Sequence, residues 1–156
     1  MTKKVIEFRE ATEADARFVA ARLRRADRQE VLATGSTPEI ALEWSRRLSD
    51  HAWTGLIDGV PAMLFGCGSS LVSTAAEVWA LGTDECTKAP REMLIYGRKM
   101  LRKMLDIFPE MQNYCDARYL AAHRWLKKLG FTVHPAEPHG PNGEPFCKIT
   151  VSKEED

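Results

Sequence analysis

The chain has 156 residues, of which 44% are hydrophobic and 28% charged, a composition typical of a globular domain and not of a disordered chain. Lysine plus arginine equals aspartate plus glutamate at 22 each, so no overall charge favours nucleic acid or anionic lipid as a partner. No apolar run approaches the ~18 residues of a membrane-spanning helix, and the N-terminus lacks the apolar core of a signal peptide. These features predict a cytoplasmic protein without a membrane segment.

Four cysteines stand far apart in the sequence, with no C-x-x-C spacing among them. They are Cys67, Cys86, Cys115 and Cys147. A zinc site or a disulfide framework needs closer or more regular spacing, and His134 and His139 add no short-range ligand pattern. We therefore predict reduced, mostly buried thiols and no bound metal.

The N-terminal residues predict a strand followed by a helix. Residues 4–12 alternate between apolar and polar side chains, as a strand does. Thr12 is a typical N-cap, and Asp15 three residues later completes a capping-box pattern. Apolar residues then recur every three to four positions, so the helix is predicted to run to about residue 32.

A second helix and a hairpin are predicted next. Thr37 is the expected N-cap, and Pro38 occupies a first helical position where its missing N–H does no harm. The apolar stripe of this helix consists of Ile40, Trp44 and Leu48. Residues 52–70 predict two strands that are joined by a turn at Asp58-Gly59, a strong hairpin signal.

The remaining elements alternate between strands and helices. Residues 75–83 predict a fourth strand, and a third helix begins near Pro90 and ends before Pro109. A short fifth strand, a fourth helix and two closing strands follow, at residues 111–118, 119–130, 131–135 and 146–151. Hairpins at both ends and helical crossovers in the middle predict an α/β fold with a mixed sheet, parallel only at its centre. The central parallel pair is expected to splay, which creates a natural ligand crevice.

This order of elements resembles the GNAT family of N-acetyltransferases. The stretch "YLAAHRWLKKLGF" is similar to a later motif of that family, with Ala122 at its alanine position and Gly130-Phe131 at its end. The resemblance implies one GNAT-like domain over residues 1–151, followed by a charged tail at 152–156. It also implies acetyl-CoA as a possible cofactor, bound where the fourth strand leads into the third helix.

A closer resemblance is to GNAT-like proteins of tailed bacteriophages, some of which are labelled internal virion proteins. It rests on "WALGTDE", "NYCDAR", "RWLKKLGF" and "HGPNGEPF", within about residues 77–147. This resemblance implies action in the host cytoplasm or a place in the virion, with a phage or host protein as partner.

The sequence departs from the GNAT pattern at three places. The loop from Asp84 to Pro90 lacks the glycines of the family's phosphate loop, Tyr119 stands at the motif's asparagine, and Leu126 stands at the tyrosine that commonly protonates the departing thiolate. Two hypotheses therefore remain open. One is an N-acetyltransferase with eroded motifs that acts on an amine-bearing small molecule or protein. The other is a non-catalytic pseudoenzyme that keeps only the fold.

The resemblance places the cofactor at the start of the third helix. A backbone N–H at a break in the fourth strand would polarise the acyl carbonyl, and N–H groups and cations at the helix start would hold phosphate. The residues so implied are Leu81, Gly82, Thr83, Thr87, Lys88, Ala89 and Arg91.

Four side chains are candidates for proton transfer. Glu77 on the fourth strand or Asp116 at the end of the fifth is a candidate base for the acceptor amine. Tyr119 and His123 lie four residues apart on one helix face and are candidate proton donors. The repeat "RKMLRKML" predicts a solvated basic face and not a nucleic-acid site, because aromatic residues that would stack bases are missing.

Overall fold

The computed structural model describes residues 3–154 and places seven strands in one mixed sheet. Strands β4 and β5 form a parallel pair, and the other neighbouring strands are antiparallel. The strands are β1 (Ile6–Glu10), β2 (His51–Ile57), β3 (Val60–Gly68), β4 (Ala76–Gly82), β5 (Glu110–Asp116), β6 (Thr132–His139) and β7 (Glu144–Ser152), in the spatial order β1-β2-β3-β4-β5-β7-β6. This topology confirms the predicted mixed α/β sheet.

Five helices cover the two faces of the sheet. They are α1 (Glu13–Ala21), α2 (Arg25–Ala33), α3 (Pro38–Leu48), α4 (Pro90–Ile107) and α5 (Leu120–Leu129). One apolar cluster joins the first three helices to one sheet face, and a second joins α4 and α5 to the other face. No helix within residues 3–154 is both long and apolar enough to cross a membrane.

The predicted first helix is two helices, so the single helix to residue 32 was wrong. Helix α1 ends at Ala21, and the chain then turns alongside the end of β4. There Leu23 forms a bridge with Thr83, and the Arg24 N–H donates to the Gly82 carbonyl at 3.0 Å. The apolar spacing continues through this break because Leu23 between the two helices is also buried, so periodicity alone could not reveal the break.

The apolar stripe predicted for the second helix points away from the core. Helix α3 instead buries Pro38 and Leu42, whereas Ile40, Trp44 and Leu48 are 51%, 56% and 72% exposed. Helical spacing identifies residues that share a face but does not say which face meets the sheet. Here contacts with α1 and β3 set the orientation of α3.

The first predicted hairpin is present, whereas the last one differs in length from the prediction. Asp58 and Gly59 both have positive φ angles, 51° and 81°, as the predicted tight turn between β2 and β3 requires. The last hairpin is longer than predicted: residues 136–139 and 144–145, expected in the connection, extend β6 and β7. Strand β7 also reaches Ser152, the first residue of the predicted tail, and residues 155–156 lie outside the described part.

A buried carboxylate ties α1 to the sheet. Thr12 and Asp15 form the predicted capping box. The Asp15 carboxylate, 4% exposed, also accepts hydrogen bonds from Arg9 Nη2 at 2.6 Å and Thr54 Oγ1 at 2.7 Å. Burial alone would raise the pKa of Asp15, but the hydrogen bonds from Arg9 and Thr54 outweigh it and lower that pKa.

Replacing Asp15 with Asn is expected to lower the free energy of unfolding by about 2–3 kcal/mol at pH 7, because Arg9 loses its partner and Thr54 loses a charged acceptor. Since the folded-state pKa is lowered, this stabilisation is present above the unfolded pKa and is lost as the pH falls through the folded value. Urea unfolding at pH 7 and pH 3 measures the difference. Glu13→Gln, at an exposed position of the same helix, should change little at either pH.

Candidate active site

Strands β4 and β5 separate soon after they begin. They pair only at Ala76 with Met111 and at Glu77 with Gln112. One residue further, the Asn113 side chain spans the widening gap and donates to the Val78 carbonyl at 2.6 Å. Ala80, in the middle of a seven-residue strand, is exposed as a result. The predicted splay is therefore present as an open slot at Ala80.

The backbone of Ala80 faces this slot. The Thr83 N–H donates to the Ala62 carbonyl of β3 at 2.8 Å, which sets the alternation of hydrogen bonds between β3 and β4. Leu81 therefore directs its backbone groups toward β3, and Ala80 directs its own toward the β5 side. Strand β5 pairs with no residue of β4 beyond Glu77 in the part of the chain that the structure describes. The backbone N–H of Ala80 therefore points from β4 into the slot.

The Gly82 N–H lies within the Leu81-Gly82-Thr83 segment, where a backbone donor to an acyl carbonyl is predicted, but it is already occupied. It donates to Asp27 Oδ2 at 2.7 Å, and the same carboxylate accepts from Arg24 Nη2 at 3.0 Å and from the Tyr119 hydroxyl at 2.6 Å. Asp27 is only 2% exposed. A Cβ on Gly82 would lie 3.2 Å from Arg24 Nη2, so glycine permits this close approach.

Tyr119 joins the start of α5 to α2 through this carboxylate. Burial raises the pKa of Tyr119, and the neighbouring Asp27 charge raises it further. Its hydroxyl therefore stays protonated and donates to Asp27. The predicted role of Tyr119 as a proton donor remains a prediction, and its hydrogen is directed at Asp27 in this arrangement.

Glu30 is a functional candidate that the sequence reasoning missed. Its Oε2 accepts a hydrogen bond from the Asp116 N–H at 2.9 Å. This N–H points toward β4, because the N–H of the next residue, Ala117, donates to β7 on the other side of the strand. Burial raises the pKa of Glu30 to about 7, and the charges of Asp27 and Asp116 add to this while the hydrogen bond from Asp116 opposes it. A carboxyl group with such a pKa can accept and release protons near neutrality.

Asp116 itself is held as a fixed anion. Its carboxylate accepts the Arg118 N–H groups at 2.9 Å from Nε and 2.7 Å from Nη2, and it is 3% exposed. The hydrogen bonds from Arg118 are the main cause of its lowered pKa. A paired carboxylate of low basicity does not favour the base role predicted for Asp116. Its carbonyl lies 2.9 Å from His123 Nε2, which must donate in this contact.

Glu77 lies in the paired part of β4, three residues before Ala80. Its side chain is exposed, and its strand neighbours are Gly68 on β3 and Gln112 on β5. The alternation of the strand places Glu77 on the α1–α3 side of the sheet, the same side as Trp79. A role as base therefore remains a prediction without a contact in its support.

A short 3-10 helix at Asp84–Lys88 replaces the glycine-rich loop of the GNAT pattern. Two of the residues predicted to hold phosphate use their side chains within it. Thr87 Oγ1 donates to the Asp84 carbonyl at 2.6 Å, and Lys88 Nζ forms an exposed ion pair with Glu85 at 2.9 Å. These contacts explain how the chain builds this turn without glycine.

The start of α4 keeps free groups for an anion. Ala89 is the N-cap and provides no side-chain hydrogen bond, so the N–H groups of the first turn have no cap. Arg91 is exposed and takes part in no ion pair within residues 3–154. By contrast, Leu81, Gly82, Thr83 and Ala89 are buried, and the Ala89 N–H already donates to the Cys86 carbonyl at 3.4 Å.

A cavity of about 770 Å³ connects these groups. Its lining includes Ala80 and Asn113 at the slot, Glu30 and Val31 on α2, and Trp125 on α5. It therefore reaches both faces of the sheet through the slot. Within residues 3–154, Trp125 Nε1 is buried and has no hydrogen-bond partner. No group of three metal-ligating side chains occurs within residues 3–154.

The structure has the GNAT acyl-CoA N-acyltransferase fold. A GNAT-family acetyltransferase from Bacillus anthracis superposes with a TM-score of 0.71 at 10% identity, over 96% of each chain. A protein from Salmonella typhimurium described as an acetyltransferase, and solved with its cofactor acetyl-CoA, gives 0.65 at 18% identity, over 97% of this chain and 95% of that one. The ribosomal-protein-S18-alanine N-acetyltransferase of Escherichia coli gives 0.63 at 13% identity, over 97% and 96%.

These likenesses concern the fold. No protein-family model and no curated protein matches the sequence. At such identities a shared fold does not carry a substrate or a catalytic residue from one chain to another. Function must therefore be argued from the slot and its residues.

Replacing Asp27 with Asn is expected to lower the free energy of unfolding by about 3 kcal/mol, because it removes the charge that Arg24 neutralises inside the protein. Tyr119→Phe removes one hydrogen bond to the same carboxylate and should cost only about 1 kcal/mol. Denaturant unfolding of both variants measures which of them loses more unfolding free energy. Equal losses would contradict Asp27 as the central acceptor.

Proposed function

We propose that the protein is an acyl-CoA-dependent N-acyltransferase that uses acetyl-CoA and an amine-bearing small molecule or protein. The observation that carries this proposal is the open slot at Ala80, where a strand N–H faces a cavity that reaches both faces of the sheet. An acyl donor on one face and an amine on the other could meet there. The GNAT fold supports the same reaction class.

The residues around the slot fit such a cofactor. The Ala80 N–H is positioned to donate to an acyl oxygen, a role that the Gly82 and Thr83 N–H groups cannot take while they bind Asp27 and Ala62. Trp125 lines the same cavity, and its Nε1 has no hydrogen-bond partner within residues 3–154. When bound, acetyl-CoA supplies an activated thioester, and the protein contributes position and polarisation.

Filling the slot should abolish cofactor binding. Wild-type protein is expected to gain about 2.7 kcal/mol of stability at acetyl-CoA concentrations a hundredfold above Kd. Ala80→Leu places three more carbon atoms in the slot and should remove this gain. Ala136→Leu, at an exposed alanine of β6 that does not line the cavity, should retain it.

Thermal unfolding with and without acetyl-CoA measures the effect. An unchanged melting temperature of the wild-type protein at millimolar acetyl-CoA would contradict the proposed function. Full retention of binding by Ala80→Leu would contradict the slot as the site.

We further propose that the phosphate end of the cofactor lies at the start of α4, with Arg91 as its main cation. Lys88 contributes less, because Glu85 already neutralises it. The free backbone N–H groups of Arg91 and Glu92 lie at the helix start, where the helix dipole favours an anion. Thr87 lies in the preceding 3-10 helix, and the Ala89 N–H already donates to the Cys86 carbonyl at 3.4 Å.

Replacing Arg91 with Gln is expected to raise the Kd for acetyl-CoA about two- to fivefold, which corresponds to the ~0.3–1 kcal/mol of an exposed charge contact. The effect should shrink at high salt because exposed charges are screened. Arg102→Gln, on the same helix within the exposed basic face, is the control. Isothermal titration at two salt concentrations measures both variants, and equal affinities would place the phosphates elsewhere.

A second candidate is a phage GNAT-like protein that no longer catalyses acyl transfer and acts as a virion or host-interaction component. It is proposed on the phage-like motifs and on Leu126, which is buried where relatives carry a proton-donating tyrosine. In this case acetyl-CoA could bind, but no amine would be acetylated. Mass spectrometry of an amine panel separates the two candidates, and detection of the chain in purified virions would favour the second.

A further inference from the structure

We propose that Glu30 is the general base that takes a proton from the acceptor amine. The inference rests on the proposed function, since it assigns a role within the same reaction. Glu30 is also expected to exchange a proton near neutral pH in the protein without any ligand.

The position of Glu30 supports this role. Asp27 and Glu30 lie three residues apart on α2 and thus share a face. Asp27 binds the backbone of β4 at Gly82, and Glu30 binds the backbone of β5 at Asp116. The two carboxylates therefore stand at the two diverging strands, and Glu30 lines the same cavity as Ala80.

Glu30 is the carboxylate of this group that no cation neutralises. Arg24 pairs with Asp27 at 3.0 Å, and Arg118 pairs with Asp116 at 2.7 Å. Within residues 3–154, Glu30 forms no ion pair. A charged amine that enters the cavity would therefore meet an uncompensated carboxylate at Glu30.

The charged and titratable groups around Glu30 favour proton exchange. Asp27 on its own helix and Asp116 on β5 disfavour its ionised form, and Cys115 lies beside it. Burial, with the Glu30 charge added, raises the pKa of the Cys115 thiol, which therefore stays neutral. The Glu30 pKa of about 7 lies near the value at which a base works best at neutral pH.

The step balances without a further reactant. Glu30 accepts one proton from the ammonium group, which leaves a neutral amine nitrogen. That nitrogen forms the new C–N bond to the acyl carbon while the C–S bond breaks, and the sulfur leaves with the bonding electron pair. The second nitrogen proton goes to the sulfur, so the products are an amide, a thiol and protonated Glu30, which releases its proton to water.

The kinetic test is Glu30→Gln, which keeps the size of the side chain and an oxygen to accept the Asp116 N–H. We expect kcat to fall about 100-fold, the lower part of the range for a lost general base, with Kd for acetyl-CoA unchanged. In the wild-type protein kcat/KM should fall as the pH drops below about 7, because the base becomes protonated. This acid limb should vanish in Glu30→Gln and persist in Glu39→Gln, an exposed position on α3.

Two measurements need no cofactor. Carboxyl carbon NMR should show one glutamate that titrates near pH 7 in the wild-type protein and disappears in Glu30→Gln. Because the raised pKa means that folding disfavours the ionised form, wild-type stability should decline between pH 5 and pH 8 relative to the variant. The melting temperature of Glu30→Gln minus that of wild type should therefore increase over this range.

The outcomes are distinguishable. An unchanged pH profile and kcat in Glu30→Gln, with active wild-type protein, would overturn the role of Glu30 and leave the proposed function standing. A Glu30 carboxyl group that titrates near its ordinary value would overturn it as well. A wild-type protein that transfers no acyl group to any amine of the panel would overturn both the proposed function and the assignment of Glu30 as its base.

Discussion

The early end of the parallel pairing between β4 and β5 is the constraint on which the candidate site depends. Backbone N–H groups that lose a strand partner inside a protein must find another acceptor. Here one helix supplies two acceptors, because Asp27 takes the Gly82 N–H and Glu30 takes the Asp116 N–H. The strands can therefore stay apart without leaving these donors unsatisfied. Ala80, two residues before the anchored Gly82 on β4, is exposed at the slot.

The charges of the acidic side chains at the diverging strands also affect their proton exchange. Three carboxylates gather where the strands diverge, but only two have arginine partners. The charges of Asp27 and Asp116 make ionisation of Glu30 harder. One group of residues thus stabilises the open slot and also leaves one carboxyl group able to exchange protons near neutrality.

Local signals predicted much of the fold because they depend on few residues. The capping box at Thr12 and the turn at Asp58-Gly59 each require only nearby backbone geometry. The direction of α3 was not predictable in this way, since its orientation depends on contacts with distant elements. A signal for the missed acids did exist: Asp27 falls on the same helical stripe as the buried Leu23 and Val31. An acid at such a position implies a buried partner but does not name it.

The sequence by itself determined the strands, most helices and the order that makes a mixed sheet with a central parallel pair, because alternation, helical spacing and turn chemistry are local properties. It also located the region of the candidate site, since a crossover of this order must splay at its centre. Only the tertiary structure decided which groups meet there. Gly82 and Asp27 are 55 residues apart, and Glu30 and Asp116 are 86 apart. No local pattern relates residues at such separations, because their contact depends on how α2 packs across the ends of two strands.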